Sequence, residues 1–71
     1  MLSEIDEKIL KYLANEDWPV TTEMVAKEMK ISWNTAQVHL YKLLADGLVR
    51  YKKVGRQNQW AATAKGKKLK K

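Results

Sequence analysis

The 71-residue sequence has no cysteine, no phenylalanine, one proline and three glycines. The lack of cysteine excludes disulfide bonds and cysteine-ligated zinc sites, and it suits a reducing compartment. The single histidine, His39, has no second histidine or cysteine to complete a metal site, so we expect no metal and no cofactor. No apolar run approaches the roughly 20 residues that span a membrane, and the N-terminus lacks the order of a secretion signal. These absences predict a cytoplasmic protein without a membrane partner.

Catalytic signatures are also missing. The sequence has no glycine-rich phosphate loop and no conspicuous nucleophile–base pair, and a chain this short leaves little volume for a pocket. We therefore expect that the protein is not an enzyme and that His39 borders the core. A hydrophobic content of 45% is enough for a globular core. The length predicts a single domain over residues 1–71, with residues 65–71 as a frayed basic tail.

Charge is divided unequally along the chain, whose net charge is +6. Residues 1–40 carry four Lys or Arg and seven Asp or Glu, a balance of −3, whereas residues 41–71 carry ten against one, a balance of +9. A basic half on an otherwise acidic domain is typical of proteins that bind a polyanion. A solvated surface with a lysine-rich tail is the alternative interpretation.

The N-terminal third predicts a helix followed by a short strand. Ser3 begins a weak capping box, and the apolar residues after it share one helical face, so we expect a helix over residues 4–15. Leu10 lies at the margin of that face, where it could widen the core contact or form a dimer seam. Pro19 disfavours helix just before it, and residues 18–20 are expected to form a strand.

Two further helices are predicted next. Thr21 or Thr22 caps the second, whose apolar positions are Met24, Val25, Ala26 and Met29. Ser32 caps the third, which is expected over residues 33–46 and to end at a left-handed Gly47. One face of the third helix should pack on the other helices through Ala36, Leu40, Leu43 and Leu44. The opposite face carries Asn34, Gln37, Val38 and Tyr41.

A hairpin, or wing, is predicted after the third helix. Residues 48–54 form one strand, residues 55–58 the turn and residues 59–62 the returning strand. Thr63 is expected to cap a last short turn. Four basic residues decorate the hairpin: Arg50, Lys52, Lys53 and Arg56. They could reach phosphates, although lysines on an edge strand also prevent aggregation.

The outward face of the third helix has the chemistry of a contact surface. Side-chain amides such as those of Asn34 and Gln37 match the paired acceptor and donor of an adenine edge. Val38 and Tyr41 are unusual on a purely solvated face. Trp33 either stacks on a ligand or covers the turn before it, whereas the other two tryptophans, Trp18 and Trp60, are expected to pack in the core or between strands.

One pattern runs through the third helix to the start of the wing: Ser32-x-x-Thr35-Ala36-Gln37-x-His39-Leu40-x-x-Leu43-x-x-x-Gly47-Leu48-Val49. It resembles the recognition-helix signature of bacterial and archaeal winged-helix regulators of the MarR and ArsR kind. Residues 20–29 are similar to the second helix of this family, and residues 62–66 to the segment that closes its wing. The resemblance implies an α+β fold, a small winged helix-turn-helix with three helices and a C-terminal β-hairpin wing.

The resemblance also implies a double-stranded DNA partner and a nucleoid-associated location. In the family the third helix meets bases, the wing meets backbone or minor groove, and the start of the second helix meets a phosphate. We add the cap of the third helix, Ser32, and the nearby Lys42 to these family positions. The expected DNA-contacting residues are then Thr21, Thr22, Ser32, Trp33, Asn34, Thr35, Gln37, Tyr41, Lys42, Lys52, Lys53, Arg56 and Gln57.

Two departures from the family affect this interpretation. Val38 stands where the family often has arginine, and the chain lacks the long terminal helices that make MarR-like dimers. A homodimer would have to use helix 1 or the C-terminal turn.

The sequence is also similar to winged helices that bind left-handed Z-DNA. The similarity rests on Tyr41 in the third helix and Trp60 after the wing. Gln37 replaces the asparagine of that family, and Asn58-Gln59 replaces its two prolines.

Three functions therefore remain open beside Z-DNA binding. The first is a transcription regulator that reads bases through Asn34, Gln37 and Tyr41. The second is a chromatin-like protein that coats DNA with little sequence preference. The third is a protein-interaction module with Val38 and Tyr41 as its apolar contact.

Overall fold

A computed structural model describes residues 2–16 and 19–69 of the chain. The elements are α1 (Glu4–Ala14), β1 (Val20–Thr21), α2 (Thr22–Met29), α3 (Trp33–Ala45), β2 (Val49–Val54), β3 (Gln57–Ala62) and α4 (Ala64–Leu69). The strands form one antiparallel sheet in the order β1-β3-β2. This is the predicted α+β winged helix-turn-helix, with a fourth short helix added. The short strand predicted over residues 18–20 is found at Val20–Thr21. Trp18 lies outside the described residues, so its predicted packing stays a prediction.

Side-chain caps begin the first three helices. The Ser3 hydroxyl accepts the Asp6 N–H at 3.2 Å and the Asp6 carboxylate accepts the Ser3 N–H at 3.2 Å, which completes the predicted capping box. Thr21 caps α2 by accepting the Met24 N–H. Of the two threonines predicted as the cap, Thr21 is therefore the one that acts. Ser32 caps α3 as predicted.

The third helix ends in a Schellman motif. Gly47 adopts φ +74°, its N–H donates to the Leu44 carbonyl, and the Leu48 N–H donates to the Leu43 carbonyl at 3.0 Å. A left-handed residue at this position strongly favours glycine. The motif redirects the chain from α3 into β2, so it sets where the wing begins.

The core lies between α1, α2, α3 and the inner face of the sheet. Its largest fully buried side chain is Trp60, and Leu10 is also buried, so Leu10 widens the core contact. The prediction that Met24 belongs to the apolar face of α2 is wrong, because Met24 is exposed. The buried face has the i, i+3, i+4 spacing of Thr22, Val25 and Ala26, and Met24 lies off that face.

The wing turn is shorter than predicted. Val54 pairs with Gln57, which leaves only Gly55 and Arg56 in the turn. Gly55 has φ +61° and Arg56 does not have a positive φ, a combination typical of a type II′ hairpin. Gln57 and Asn58 therefore belong to β3 rather than to the turn.

The predicted frayed tail is instead partly helical. Residues Ala64–Leu69 form α4, and Thr63 caps it by accepting the Gly66 N–H at 3.0 Å. The Thr63 hydroxyl also donates to the Gly47 carbonyl at 2.8 Å, which ties α4 to the end of α3. Gly66 is buried against Leu48 and Leu10. Tertiary packing therefore orders a lysine-rich segment that its composition would leave frayed.

Replacing Gly66 with alanine should undock α4. A Cβ atom at this position would overlap the Leu48 carbonyl oxygen, and backbone cannot move aside as a flexible side chain could. We expect a loss of about 1–3 kcal/mol in the free energy of unfolding, as for other overpacked sites. Urea unfolding measures it, with Lys68→Ala on the exposed face of α4 as the control. Equal midpoints for the two variants would contradict the close packing of α4.

Candidate nucleic-acid interface

Segments that are distant in sequence meet at an open groove of about 290 Å³. It lies between the start of α2, the start of α3 and the tip of the wing. Its lining is Thr21, Thr22, Glu23, Trp33, Arg56, Gln57 and Asn58. The fold thus brings together predicted site residues from all three segments that the sequence singled out.

The outer surface of α3 adjoins this groove. Trp33 is 48% exposed, Val38 65% and Tyr41 46%, and Asn34 and Thr35 are exposed as well. The Ser32 hydroxyl is occupied as the helix cap and donates to the Thr35 hydroxyl at 2.9 Å. The first turns of α3 therefore present both polar and apolar groups to the surroundings.

Gln37 differs from its neighbours because it is half-buried and hydrogen-bonded from inside. The indole N–H of Trp60 donates to the Thr22 hydroxyl at 2.8 Å, and that hydroxyl donates to Gln37 Oε1 at 2.9 Å. Thr22 is 2% exposed, so its side chain is placed to support Gln37 and not to meet a ligand itself. Sequence reasoning missed this chain of hydrogen bonds, although the buried spacing of α2 could have indicated that Thr22 faces inward.

An aromatic cluster joins α3 to the wing. The ring centroids of Tyr41 and Trp60 are 5.5 Å apart in an edge-on contact, and those of Tyr51 and Trp60 are 4.9 Å apart. The Tyr51 hydroxyl donates to Asn58 Oδ1 at 3.0 Å. Tyr51 is not among the predicted site residues, although strand alternation with buried Val49 places it on the inner face. The cluster fixes the wing relative to α3.

The basic residues of the wing lie on two faces. Lys53 pairs with Asn58, on the same face of the sheet as Tyr51 and Trp60 and next to α3. Arg50 and Lys52 face the other way, whereas Arg56 stands in the turn. All four cations are exposed. Arg56 therefore lines the groove, and Lys53 lies on the sheet face that is turned toward α3.

Lys42, another predicted site residue, is held by helix α1. Its Nζ atom lies 2.7 Å from Oδ2 of the buried Asp6, and His39 Nδ1 lies 2.6 Å from Oδ1 of the same carboxylate. Burial raises the pKa of Asp6, but hydrogen bonds from Lys42, His39 and Ser3 outweigh it and lower the pKa from 3.8 to about 2. His39 is a core-edge residue, as predicted, and it helps to anchor α3 on α1.

Two other features are absent from the described part of the chain. Within residues 2–16 and 19–69, no group of three His, Cys, Asp or Glu side chains could hold a metal ion. In the same ranges, no helix has the length and apolar character needed to cross a membrane.

The fold is similar to that of winged-helix regulators of known structure. Lactococcus lactis ZitR, a zinc-responsive MarR family member, has 29% identity and a TM-score of 0.83, over 93% of this chain and 46% of ZitR. Wild-type ZitR in complex with DNA matches at 28% identity and a TM-score of 0.81, over 93% of this chain and 46% of that one. The predicted resemblance to MarR-type winged helices is confirmed at the level of the fold.

A more distant likeness supports the same architecture. The structure of the S. aureus MepR–DNA complex has a TM-score of 0.89 at 22% identity, over 96% of this chain and 58% of that one. The chain spans about half the length of the ZitR chains that it matches. It matches no protein-family model and no curated protein.

Proposed function

We propose that this chain binds double-stranded DNA as the DNA-binding part of a transcription regulator. In this proposal the start of α3 enters the major groove and the wing lies on the backbone or in the minor groove. The observation that carries it is the meeting of the α2 start, the exposed start of α3 and the wing tip at one groove. The likeness to ZitR, which has been solved with DNA, supports it.

The proposal assigns different tasks to the exposed and buried residues. Trp33, Asn34 and Tyr41 meet bases or sugars, and Thr21 meets a phosphate at the start of α2. Ser32, Thr35 and Thr22 act mainly by ordering the helix starts and Gln37. Phosphate contacts come from Lys52, Lys53, Arg56 and Gln57, with Lys42 available through its exposed half.

Z-DNA recognition has less support. That mode would need Trp60 at the DNA backbone, but the Trp60 side chain is fully buried and its indole N–H is already donated to Thr22. We propose neither an enzymatic activity nor a cofactor for this chain. A homodimer through α1 or α4 stays a proposal, as does a location on the nucleoid.

Selection from a randomised duplex library at about 150 mM salt tests the proposed function, because phosphate contacts still contribute at that ionic strength. Enrichment of a motif supports a regulator, and half-sites about one helical turn apart add a dimer. Tight binding without enrichment would instead support a coating protein. Absence of duplex binding would leave a protein-interaction module, with Val38 as its exposed apolar contact.

Lys53→Ala should weaken binding to all duplex sequences alike. One lost phosphate contact makes the negative slope of log K against log salt shallower by about 0.9 and leaves the enriched motif unchanged. Titrations at several salt concentrations measure this change. Lys8→Ala is the matched control, because Lys8 is an exposed lysine on α1, outside the groove and the wing. Equal salt slopes for the two variants would mean that Lys53 does not contact a DNA phosphate.

A further inference from the structure

The buried hydrogen bonds behind α3 determine which atom of Gln37 is available to a ligand. An indole N–H can only donate, so the Thr22 hydroxyl accepts from Trp60 at 2.8 Å. The hydroxyl proton is then donated to Gln37 Oε1 at 2.9 Å. If the amide were flipped, Thr22 would accept from both sides and its own buried proton would lose its acceptor. The observed orientation therefore satisfies the Trp60 N–H, the Thr22 hydroxyl and Gln37 Oε1.

This orientation turns the oxygen of Gln37 inward, toward Thr22. Gln37 is half-buried and no buried side-chain polar atom among the described residues lacks a partner, which supports an NH₂ group that faces outward. A glutamine that binds adenine on both edge atoms must present its oxygen and its nitrogen together. Here Thr22, at the buried start of α2, holds the oxygen. The free NH₂ group carries two protons, and guanine presents two acceptors, N7 and O6, in the major groove.

We propose that Gln37 acts as a donor that prefers guanine, and that Thr22 is the positioning residue that sets this preference without touching DNA. The inference rests on the proposed function and revises the adenine preference expected from the amide alone. Trp60 completes the arrangement from the wing sheet: its N–H occupies the Thr22 oxygen and favours donation toward Gln37. The wing strand β3 and the recognition helix α3 are thereby linked through one buried hydroxyl.

The test compares base preferences selected by four variants. The position at which the base preference disappears in Gln37→Ala identifies the base pair that Gln37 contacts. The wild-type protein should prefer guanine over adenine there by about fivefold, the lower end of the range for a good base contact. Thr22→Val removes the hydroxyl but keeps the side-chain shape, so the oxygen of Gln37 is released and the ratio should fall to about one or invert toward adenine. Thr22→Ser keeps the hydroxyl and should restore the guanine preference.

The measurement tolerates some loss of stability in Thr22→Val, which leaves the Trp60 N–H without its acceptor. An enrichment ratio compares sequences bound by the same folded molecules, so partial unfolding reduces total binding without changing the ratio. Gln37→Glu gives a second test of the base preference, at a position that is only half-buried. A carboxylate only accepts, so the preference should move from guanine to cytosine, whose N4 is a donor.

The outcomes separate this inference from the proposed function. Adenine preference in the wild type, or an unchanged guanine preference in Thr22→Val, would overturn the role of Thr22 while leaving DNA binding intact. No duplex binding by any variant would overturn the proposed function and this inference with it. A guanine preference that is lost in Thr22→Val and regained in Thr22→Ser would establish both.

Discussion

Replacing Trp60 with alanine is expected to unfold most of the protein at room temperature. Trp60 is 0% exposed and is the largest buried side chain among the described residues, and it packs against Tyr41 and Tyr51. Truncating a buried tryptophan to alanine costs about 3–5 kcal/mol. A single core in a domain of this size rarely supplies more than about 3–5 kcal/mol of stability. The loss is therefore comparable with the whole stability of the fold.

Urea unfolding followed by circular dichroism measures this effect. Trp33→Ala is a matched control, because Trp33 is also a tryptophan but is 48% exposed. We expect it to change the free energy of unfolding by about 0.5 kcal/mol or less, the usual effect of a surface substitution. Trp60→Phe separates ring packing from the N–H donated to Thr22 and should fall between the two. A cooperative transition of Trp60→Ala close to that of the wild type would contradict the central position of this side chain.

Local signals in the sequence were sufficient to predict the first three helices. A helix N-cap accepts the N–H of a residue three positions later, and a helix often ends at a glycine just after its last apolar residue. Both signals depend only on neighbours along the chain. Ser3, Ser32 and Gly47 were therefore identified correctly. The two-residue turn at Gly55 was not, because Gln57 and Asn58 are turn-forming types whose strand pairing depends on the partner strand.

Contacts between distant parts of the chain could not be predicted in the same way. Thr22 and Trp60 are 38 residues apart, and Thr22 and Gln37 are 15 apart. The sequence marks Gln37 as an outward amide but does not show that its oxygen is held from behind. The same reason applies to α4, whose order depends on a close approach of Gly66 to Leu48.

The exposed residues of α3 were predicted more successfully than the buried contacts that hold this helix in place. Helical spacing placed Asn34, Val38 and Tyr41 on one side, and all three are exposed. The same spacing marked His39 as a core-edge residue, but its partner Asp6 lies 33 residues away in α1. A contact surface can therefore be inferred from one helix, whereas the groups that fix its geometry require the tertiary fold.

Acidification is expected to destabilise the wild-type protein through Asp6. Its pKa is lowered from 3.8 to about 2 in the folded state, so the folded state stabilises the charged carboxylate. This contribution is fully present above pH 3.8 and is lost as the pH falls through about 2. A shift of this size corresponds to about 2 kcal/mol in the free energy of unfolding.

Asp6→Asn isolates that contribution from the other carboxylates. At pH 6 the variant should be less stable than the wild type by about 2 kcal/mol, since it loses the charge that Lys42 and His39 face. The difference should shrink as the pH approaches 2. Urea midpoints at several pH values measure it, and Asp46→Asn, at an exposed aspartate after α3, should follow the wild-type curve. A difference that does not change with pH would exclude the charge of Asp6 as its cause.

The same substitution should lower stability without lowering the DNA affinity of the folded protein. Asp6 is a buried anion paired with Lys42, a cation on the DNA-facing helix of the proposed complex. Its neutralisation removes an anchor between α1 and α3, which lowers stability. It also releases Lys42 from its ion pair and raises the net charge, so the affinity of the folded protein for DNA should not fall and its salt slope should become steeper. A parallel loss of stability and affinity would mean that the anchor itself orders the DNA-binding surface.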